Sequence, residues 1–178
     1  AAFERVLQLV KPERDANRRA SRRLNWWLFG EVMPKMRASI RDLGRYIATP
    51  ETAKHRLFVF LAESVVPEHP LIAIALNDAF HLGVLSSHLH VVYSLAAGGR
   101  LGVGNDPRYN KSRCFDPFPF PDCTEKQKAK IRALAEELDA HRNRAQAQHG
   151  IGLTDLYNVL VKVRAGEPLN AKEKLLHD

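Results

Sequence analysis

Cysteine and long apolar runs are scarce in this sequence, and each scarcity excludes a class of protein. Of the 178 residues only Cys114 and Cys123 are cysteines, which excludes a disulfide scaffold and favours a reducing, cytoplasmic location. No apolar run approaches the roughly 20 residues that a membrane-spanning helix needs, so no membrane partner is expected. The chain begins at Ala1, without an initiator methionine or a hydrophobic leader, and we therefore expect a piece of a longer protein.

Motifs for catalysis and cofactor binding are also missing. Gly99 and Gly104 have the glycine spacing of a P-loop, but Asn-Asp follows them instead of Lys-Ser or Lys-Thr. His88 and His90 point away from each other in a helix, and the two cysteines lack the spacing of a zinc ligand pair. Residues 116–119 have the wrong order for the Asp-Pro-Pro-Phe motif of amino-methyltransferases, and no glycine-rich cofactor motif accompanies them. The sequence therefore predicts no catalytic residue, no metal ligand and no bound cofactor in this chain.

Positive charge is in excess, and its distribution is uneven. The formal net charge is +7, from 27 Lys and Arg against 20 Asp and Glu. Residues 1–56 contain 13 Lys and Arg and 6 Asp and Glu, whereas residues 57–178 contain 14 of each. The excess therefore lies in the N-terminal part, and residues 98–121 add a smaller basic segment. Two separate basic patches favour a polyanionic partner over a merely solvated helix face.

Hydrophobic patterning predicts an α+β protein with a small mixed sheet and flanking helices, followed by a helical C-terminal segment. Residues 1–21 have the pattern of a basic helical linker. An amphipathic helix is expected over 24–42, with a kink or break near Met33 because Pro34 interrupts it. Three short runs rich in β-compatible residues are interpreted as strands: residues 45–49, 56–62 and 71–76.

The second half of the chain is dominated by helical patterns. One helix is expected over 82–97, ending at Gly98-Gly99, because apolar residues recur at helical intervals: Leu82, Leu85, Leu89, Val92 and Ala96. A second begins after Thr124, which forms a capping box with Gln127. Its expected buried stripe is Ile131, Leu134, Ala135 and Leu138. Two further helices are expected over 154–164 and 170–177.

Residues 98–121 combine a glycine-rich basic loop with a phenylalanine–proline segment. Arginine can bond guanine and asparagine can bond adenine through two hydrogen bonds each, whereas lysine mostly contacts phosphate. The proline residues of 115–121 keep the backbone extended while its phenylalanines fill a core. We interpret the loop and a basic cluster at 54–56 as a nucleic-acid contact surface, with an ordinary basic surface loop as the alternative. The candidate contacts are Lys54, His55, Arg56, Arg100, Asn105, Arg108, Tyr109, Asn110, Lys111 and Arg113.

Four segments of the chain resemble successive blocks of one protein family. They are RRLNWWLFGE at 22–31, RYIATPETAKHRLFVFL at 45–61, HLGVLSSHLHVVYSLAAGG at 81–99 and RYNKSRCFDPFPFP at 108–121. In this order they resemble the MmeI-like, adenine-specific DNA methyltransferases, which are often fused restriction–modification enzymes. Family patterns often have Thr-Pro-Thr-Thr after the tyrosine, whereas this chain has Asn-Lys-Ser-Arg at 110–113, so the DNA target stays open.

The resemblance implies a recognition fragment of a larger enzyme. It implies a DNA target-recognition domain over 22–123, preceded by a linker from the upstream domain at 1–21 and followed by a helical segment over 124–178. The expected partners are double-stranded DNA and the upstream methyltransferase domain, which would bind S-adenosylmethionine. The basic N-terminal segment and the tail helices would contact phosphates, while side chains of the 98–113 loop and of the 54–56 cluster contact base edges.

Two other functions are considered. The tail could be a protein–protein docking or scaffold domain of a restriction–modification complex, through the apolar residues Leu153, Leu156, Val159, Leu160 and Val163. A stand-alone nuclease is the weakest alternative, because no acidic metal cluster with a nearby lysine is found in the sequence.

Overall fold

The computed structural model of the chain describes residues 2–28, 33–101 and 106–177. The chain divides into two compact units, residues 1–39 and 40–178. Among the described residues no helix is both long enough and apolar enough to span a bilayer.

Three short helices lie in the first unit, and a fourth helix ends at the start of the second. They are α1 (Ala2–Leu9), α2 (Lys11–Asp15), α3 (Ala20–Leu24) and α4 (Pro34–Ile40). The single helix expected over 24–42 is wrong, because α3 ends at Leu24. The break expected near Met33 is confirmed, since Met33 has a φ of 49° and Pro34 opens α4. Trp26 packs against Phe3, with ring centroids 5.8 Å apart.

A three-stranded antiparallel sheet forms the base of the second unit. Its strands are β1 (Arg45–Pro50), β2 (Val59–Ala62) and β3 (Leu71–Ile74), with β1 in the centre. Ile47 lies opposite Phe60 on one side and Ile74 on the other. The predicted strands and the α+β class are confirmed, and both ladders are antiparallel rather than mixed.

Two helices follow the sheet where one was expected. They are α5 (Ala79–Ser86) and α6 (His88–Ala97), and Ser87 between them has an extended backbone. The Ser87 hydroxyl accepts a hydrogen bond from the His90 backbone N–H, which caps α6. The break changes the helical phase, so Leu89 and Val92 are exposed while His90 and Ser94 are buried. The apolar stripe predicted for residues 82–97 is therefore wrong in its second half.

A long C-terminal helix packs on α5. It is α7 (Glu125–His149), which begins with the predicted Thr124–Gln127 capping box and ends at Gly150. A Cβ atom added at Gly83 of α5 would lie 2.7 Å from Ile131 Cγ2, so α5 and α7 approach closely only because residue 83 is glycine. Leu134 is exposed, contrary to the expected stripe. The expected tail helices follow as α8 (Leu153–Ala165) and α9 (Ala171–His177).

The phenylalanine–proline segment belongs to the core, as predicted. Phe118 forms a buried cluster with Phe80 and Val84, and Phe120 packs against it. The Phe118 ring contacts His90 edge-on, with centroids 4.3 Å apart. The segment that follows the glycine-rich basic loop is thus anchored against α5 and α6.

Candidate nucleic-acid interface

The basic loop is built on a short β-hairpin. Strands β4 (Gly99–Leu101) and β5 (Asp106–Arg108) pair antiparallel, with Gly99 opposite Arg108. A Cβ atom at Gly98 would lie 2.5 Å from the Arg108 carbonyl oxygen and 2.6 Å from that of Ser94. The hairpin can therefore start directly at the end of α6 only because residue 98 is glycine. The candidate contact Asn105 lies outside the described residues.

Arg56 attaches this hairpin to the end of β1. Its Nη2 donates to the Pro107 carbonyl at 3.0 Å, and its Nη1 donates to the Pro50 carbonyl and to Thr49 Oγ1, the latter at 3.1 Å. The side chain is buried, and burial lowers its pKa. Tyr109 N–H adds a 2.7 Å hydrogen bond to the Glu51 carbonyl. The planar guanidinium suits this task because it presents several donors in a fixed geometry.

Tyr109 also points into the protein. It is 1% exposed, and its ring contacts that of Phe58 edge-on. Its hydroxyl lies 3.1 Å from His90 Nε2. Burial raises the pKa of Tyr109 and lowers the pKa of His90 to about 4. Tyr109 and Arg56 were both predicted as nucleic-acid contacts. In the structure both side chains are buried and form hydrogen bonds within the protein, so they position the hairpin from its interior side.

Other predicted contacts lie on the surface. Arg108 is exposed, and Glu51 Oε1 accepts from its Nε at 2.6 Å and also from its Nη2. Lys111 Nζ pairs with Asp116 at 2.8 Å. The Asn110 side chain caps the π-helical turn at Lys111–Phe115 by accepting from the Arg113 N–H. Arg113, in that turn, and Arg100, in β4, are exposed.

The remaining two predicted contacts meet a residue that the sequence reasoning missed. Lys54 and His55 lie before β2, and both side chains contact Asn158 of α8, which is more than one hundred positions away. Asn158 belongs to no recognisable motif, so no sequence signal could have identified it. The C-terminal helical segment thus contacts the same part of the protein as the candidate interface.

Four of the five apolar tail residues named above line a cleft, and Val163 among them is 37% exposed. A cavity of about 250 Å³ lies between α7, α8 and α9, and its lining includes Leu156, Val159 and Val163. The basic loop is not packed away, because Arg108, Lys111 and Arg113 are exposed. These observations do not favour the docking alternative. Among the described residues no group of three or more His, Cys, Asp or Glu side chains could hold a metal ion.

Known proteins resemble this chain in sequence and in fold. DNA methyltransferase A of Bacillus subtilis (strain 168) is 33% identical over 82 residues, which are 46% of this chain and 8% of that protein. The Type IIL restriction-modification enzyme MmeI, solved in complex with DNA, superposes with a TM-score of 0.65 at 21% identity. That match covers 80% of this chain and 19% of the MmeI chain, so this chain spans a small part of either relative. The family model "MmeI, target recognition domain" matches residues 13–122, and the chain therefore belongs to the MmeI target recognition domain family.

Proposed function

We propose that this chain recognises the target sequence in duplex DNA for a site-specific adenine methyltransferase whose catalytic domain lies elsewhere in the parent protein. Membership of a target recognition family supports the proposal, as do the names of the two relatives, a DNA methyltransferase and a restriction-modification enzyme in complex with DNA. S-adenosylmethionine would bind the upstream domain. Residues 22–123 would form the recognition domain, with a linker at 1–21 and the helical segment at 124–178.

The observation that carries the proposal is the pairing of Arg108 with Glu51. Glu51 occupies the edge of the guanidinium formed by Nε and Nη2, and no described residue accepts a hydrogen bond from Nη1. Nη1 and the remaining N–H of Nη2 form a pair of donors, which match the O6 and N7 acceptors of guanine in the major groove. Because the carboxylate neutralises the guanidinium, the pair is a poor phosphate ligand. Arg108 is therefore assigned to a base.

The position of Glu51 makes this orientation reproducible. Its N–H donates to the Pro70 carbonyl at 2.7 Å, and its own carbonyl accepts from Tyr109 N–H. The backbone that carries the carboxylate is thus held between the residue before β3 and the residue after β5. Arg108 consequently keeps one orientation before DNA arrives, which reduces the entropy lost on binding.

Lys111 is assigned to the DNA backbone. Its partner Asp116 is exposed, and exposed ion pairs contribute at most about 1 kcal/mol, so a phosphate can replace Asp116. Arg100, Asn105, Asn110 and Arg113 are further proposed contacts on the same loop, and the basic N-terminal segment would add phosphate contacts.

The experiment compares Arg108→Ala with Lys111→Ala in the full-length parent. Binding is measured by fluorescence anisotropy on a duplex with the sequence that the parent methylates. The same titrations use duplexes in which one base pair of that sequence is changed, and all are repeated between 50 and 200 mM salt. Arg108→Ala should relax discrimination at one base pair by about 1–3 kcal/mol and leave the salt dependence unchanged. Lys111→Ala should weaken binding to all duplexes and reduce the salt slope by about 0.9.

Two results would contradict the proposal at different levels. If Arg108→Ala weakens binding to every duplex equally and lowers the salt slope, Arg108 contacts phosphate and not a base. If the wild-type parent binds no duplex even at low salt, DNA recognition itself is wrong.

A further inference from the structure

Three side chains that carry hydrogen-bond donors come together from two distant segments. Two of them contact the same oxygen atom, which belongs to the third. Lys54 Nζ donates to Asn158 Oδ1 at 2.7 Å, and His55 Nε2 lies 2.9 Å from the same oxygen. Lys54 and His55 belong to the loop before β2, whereas Asn158 belongs to α8. Lys54 is exposed, and the other two side chains are partly exposed. The cluster is therefore accessible to a ligand from solvent.

The chemistry of lysine determines the orientation of the other two groups. A lysine ammonium only donates hydrogen bonds, so the atom of Asn158 that faces it must be the amide oxygen. His55 approaches the same oxygen and must therefore donate from Nε2. Asn158 Nδ2 keeps two N–H donors, and no described residue accepts a hydrogen bond from them. The cluster therefore offers the donors of Lys54 and Asn158 to an incoming ligand.

The charge of the cluster also differs from that of Arg108 and Lys111. Arg108 and Lys111 are each paired with a carboxylate. Within the described ranges Lys54 makes no ion pair, and its partner is a neutral amide. A neutral acceptor orients the ammonium without cancelling its charge. An oriented and uncompensated cation beside an amide donor is the arrangement that binds a phosphate oxygen.

A buried arginine supports the cluster from inside the protein. Arg142 of α7 is 4% exposed, and its Nη1 donates to the Phe58 carbonyl at 2.9 Å. Its Nε donates to the Tyr157 hydroxyl at 3.1 Å, and the Tyr157 ring lies beside that of His55, with centroids 6.0 Å apart. Arg142 thereby joins α7, α8 and the segment that carries Lys54 and His55. Packed elements, and not a free loop, therefore set the relative positions of the three side chains of the cluster.

We propose that Lys54, His55 and Asn158 form a binding site for one phosphate group of the DNA backbone. This inference rests on the proposed function, and it makes α8 of the C-terminal helical segment part of the DNA-binding surface. It also changes the role expected for Lys54 and His55, which contact the backbone and set the register while Arg108 contacts a base.

The experiment uses the full-length parent and four variants: Lys54→Ala, Asn158→Ala, Asn158→Asp and the control Gln148→Glu. Asn158→Asp and Gln148→Glu both convert one amide into one carboxylate, and Gln148 is an exposed residue of α7. Anisotropy titrations on the target duplex and on a scrambled duplex are repeated between 50 and 200 mM salt. Circular dichroism checks that each variant is folded.

The variants should differ in a defined order. Lys54→Ala should weaken binding to both duplexes by the same factor and reduce the salt slope by about 0.9. Asn158→Asp should weaken binding roughly tenfold and more than Asn158→Ala, because the new carboxylate neutralises Lys54 and repels the phosphate. Gln148→Glu should bind as the wild type does. Equal effects of Asn158→Asp and Gln148→Glu would overturn the proposal.

A second measurement modifies the DNA instead of the protein and needs Lys54→Ala as its only variant, at an exposed position. Duplexes with one uncharged methylphosphonate linkage at each position in turn are titrated against the wild type and against Lys54→Ala. The site predicts one linkage that weakens the wild type and has no effect on Lys54→Ala. If no linkage behaves in this way and Arg108→Ala still relaxes base discrimination, the phosphate site is refuted and the proposed function is not. If the wild type binds no duplex at all, the proposed function itself is refuted.

Discussion

Arg56 holds the hairpin of β4 and β5 on the sheet, and its replacement by methionine tests this interpretation. Methionine keeps an apolar stem of similar length but removes the guanidinium and all of its hydrogen bonds. The carbonyl groups of Pro50 and Pro107 lose their charged donor, although Pro107 still accepts from the Ala53 N–H. We therefore expect a less stable protein whose hairpin is held less firmly at the end of β1.

The magnitude follows from the number of acceptors left unpaired and from the charge removed. Each buried acceptor without a donor costs about 1–3 kcal/mol. Removal of a buried charge recovers part of its desolvation cost, which amounts to several kcal/mol. We expect Arg56→Met to lower the free energy of unfolding by about 2–4 kcal/mol. Arg56→Lys should cost at least as much, because it keeps a charge in the interior without the planar set of donors.

Urea unfolding followed by far-ultraviolet circular dichroism measures these differences. Tryptophan fluorescence is unsuitable, because Trp26 and Trp27 lie in the first unit and Arg56 lies in the second. Arg41→Met is the matched control, since Arg41 is exposed and its substitution should change the stability by less than about 0.5 kcal/mol. If Arg56→Met is as stable as Arg41→Met and yet loses affinity for DNA, Arg56 is a DNA contact and the interpretation as a hairpin anchor is wrong.

Two further predictions concern the base of the hairpin. Because burial lowers the pKa of His90 to about 4, the unfolded state binds more protons between that pH and about 6.5, and stability should fall as the pH falls through this window. His90→Gln should flatten that fall in urea titrations at pH 7, 5.5 and 4.5, and parallel profiles would contradict the assignment. Gly98→Ala should lower the free energy of unfolding by about 1–3 kcal/mol and reduce base discrimination. Gly99→Ala should have a smaller effect in the urea and anisotropy titrations, since a Cβ atom there meets no described atom within 4 Å. Equal effects of the two substitutions would contradict the close approach at Gly98.

The accuracy of the sequence-based expectations varied with the range of the interactions involved. The strands around Ile47, Phe60 and Ile74 were predicted because β-compatible runs bounded by proline and polar residues are local signals. The Thr124–Gln127 capping box is local in the same way and was confirmed. The continuous helix over 82–97 was wrong, because Ser87 can cap a new helix and an apolar pattern does not show which residue will do so.

The sequence alone determined the class of the protein, and it predicted which loop contacts the target. Composition, charge distribution and the four sequence blocks were enough to predict an α+β recognition domain, and the family match confirmed it. These features are compositional or local, and they do not depend on how distant segments meet.

Only the tertiary structure decided which basic residues face outward and which partner each one has. Arg56 and Tyr109 resemble surface contacts in the sequence, but they are buried where β1, β5 and α6 converge. Asn158 contacts Lys54 across a separation of 104 residues. Burial and hydrogen-bond partners depend on contacts between segments far apart in the chain, and neither the period of an apolar pattern nor the identity of a basic residue encodes them.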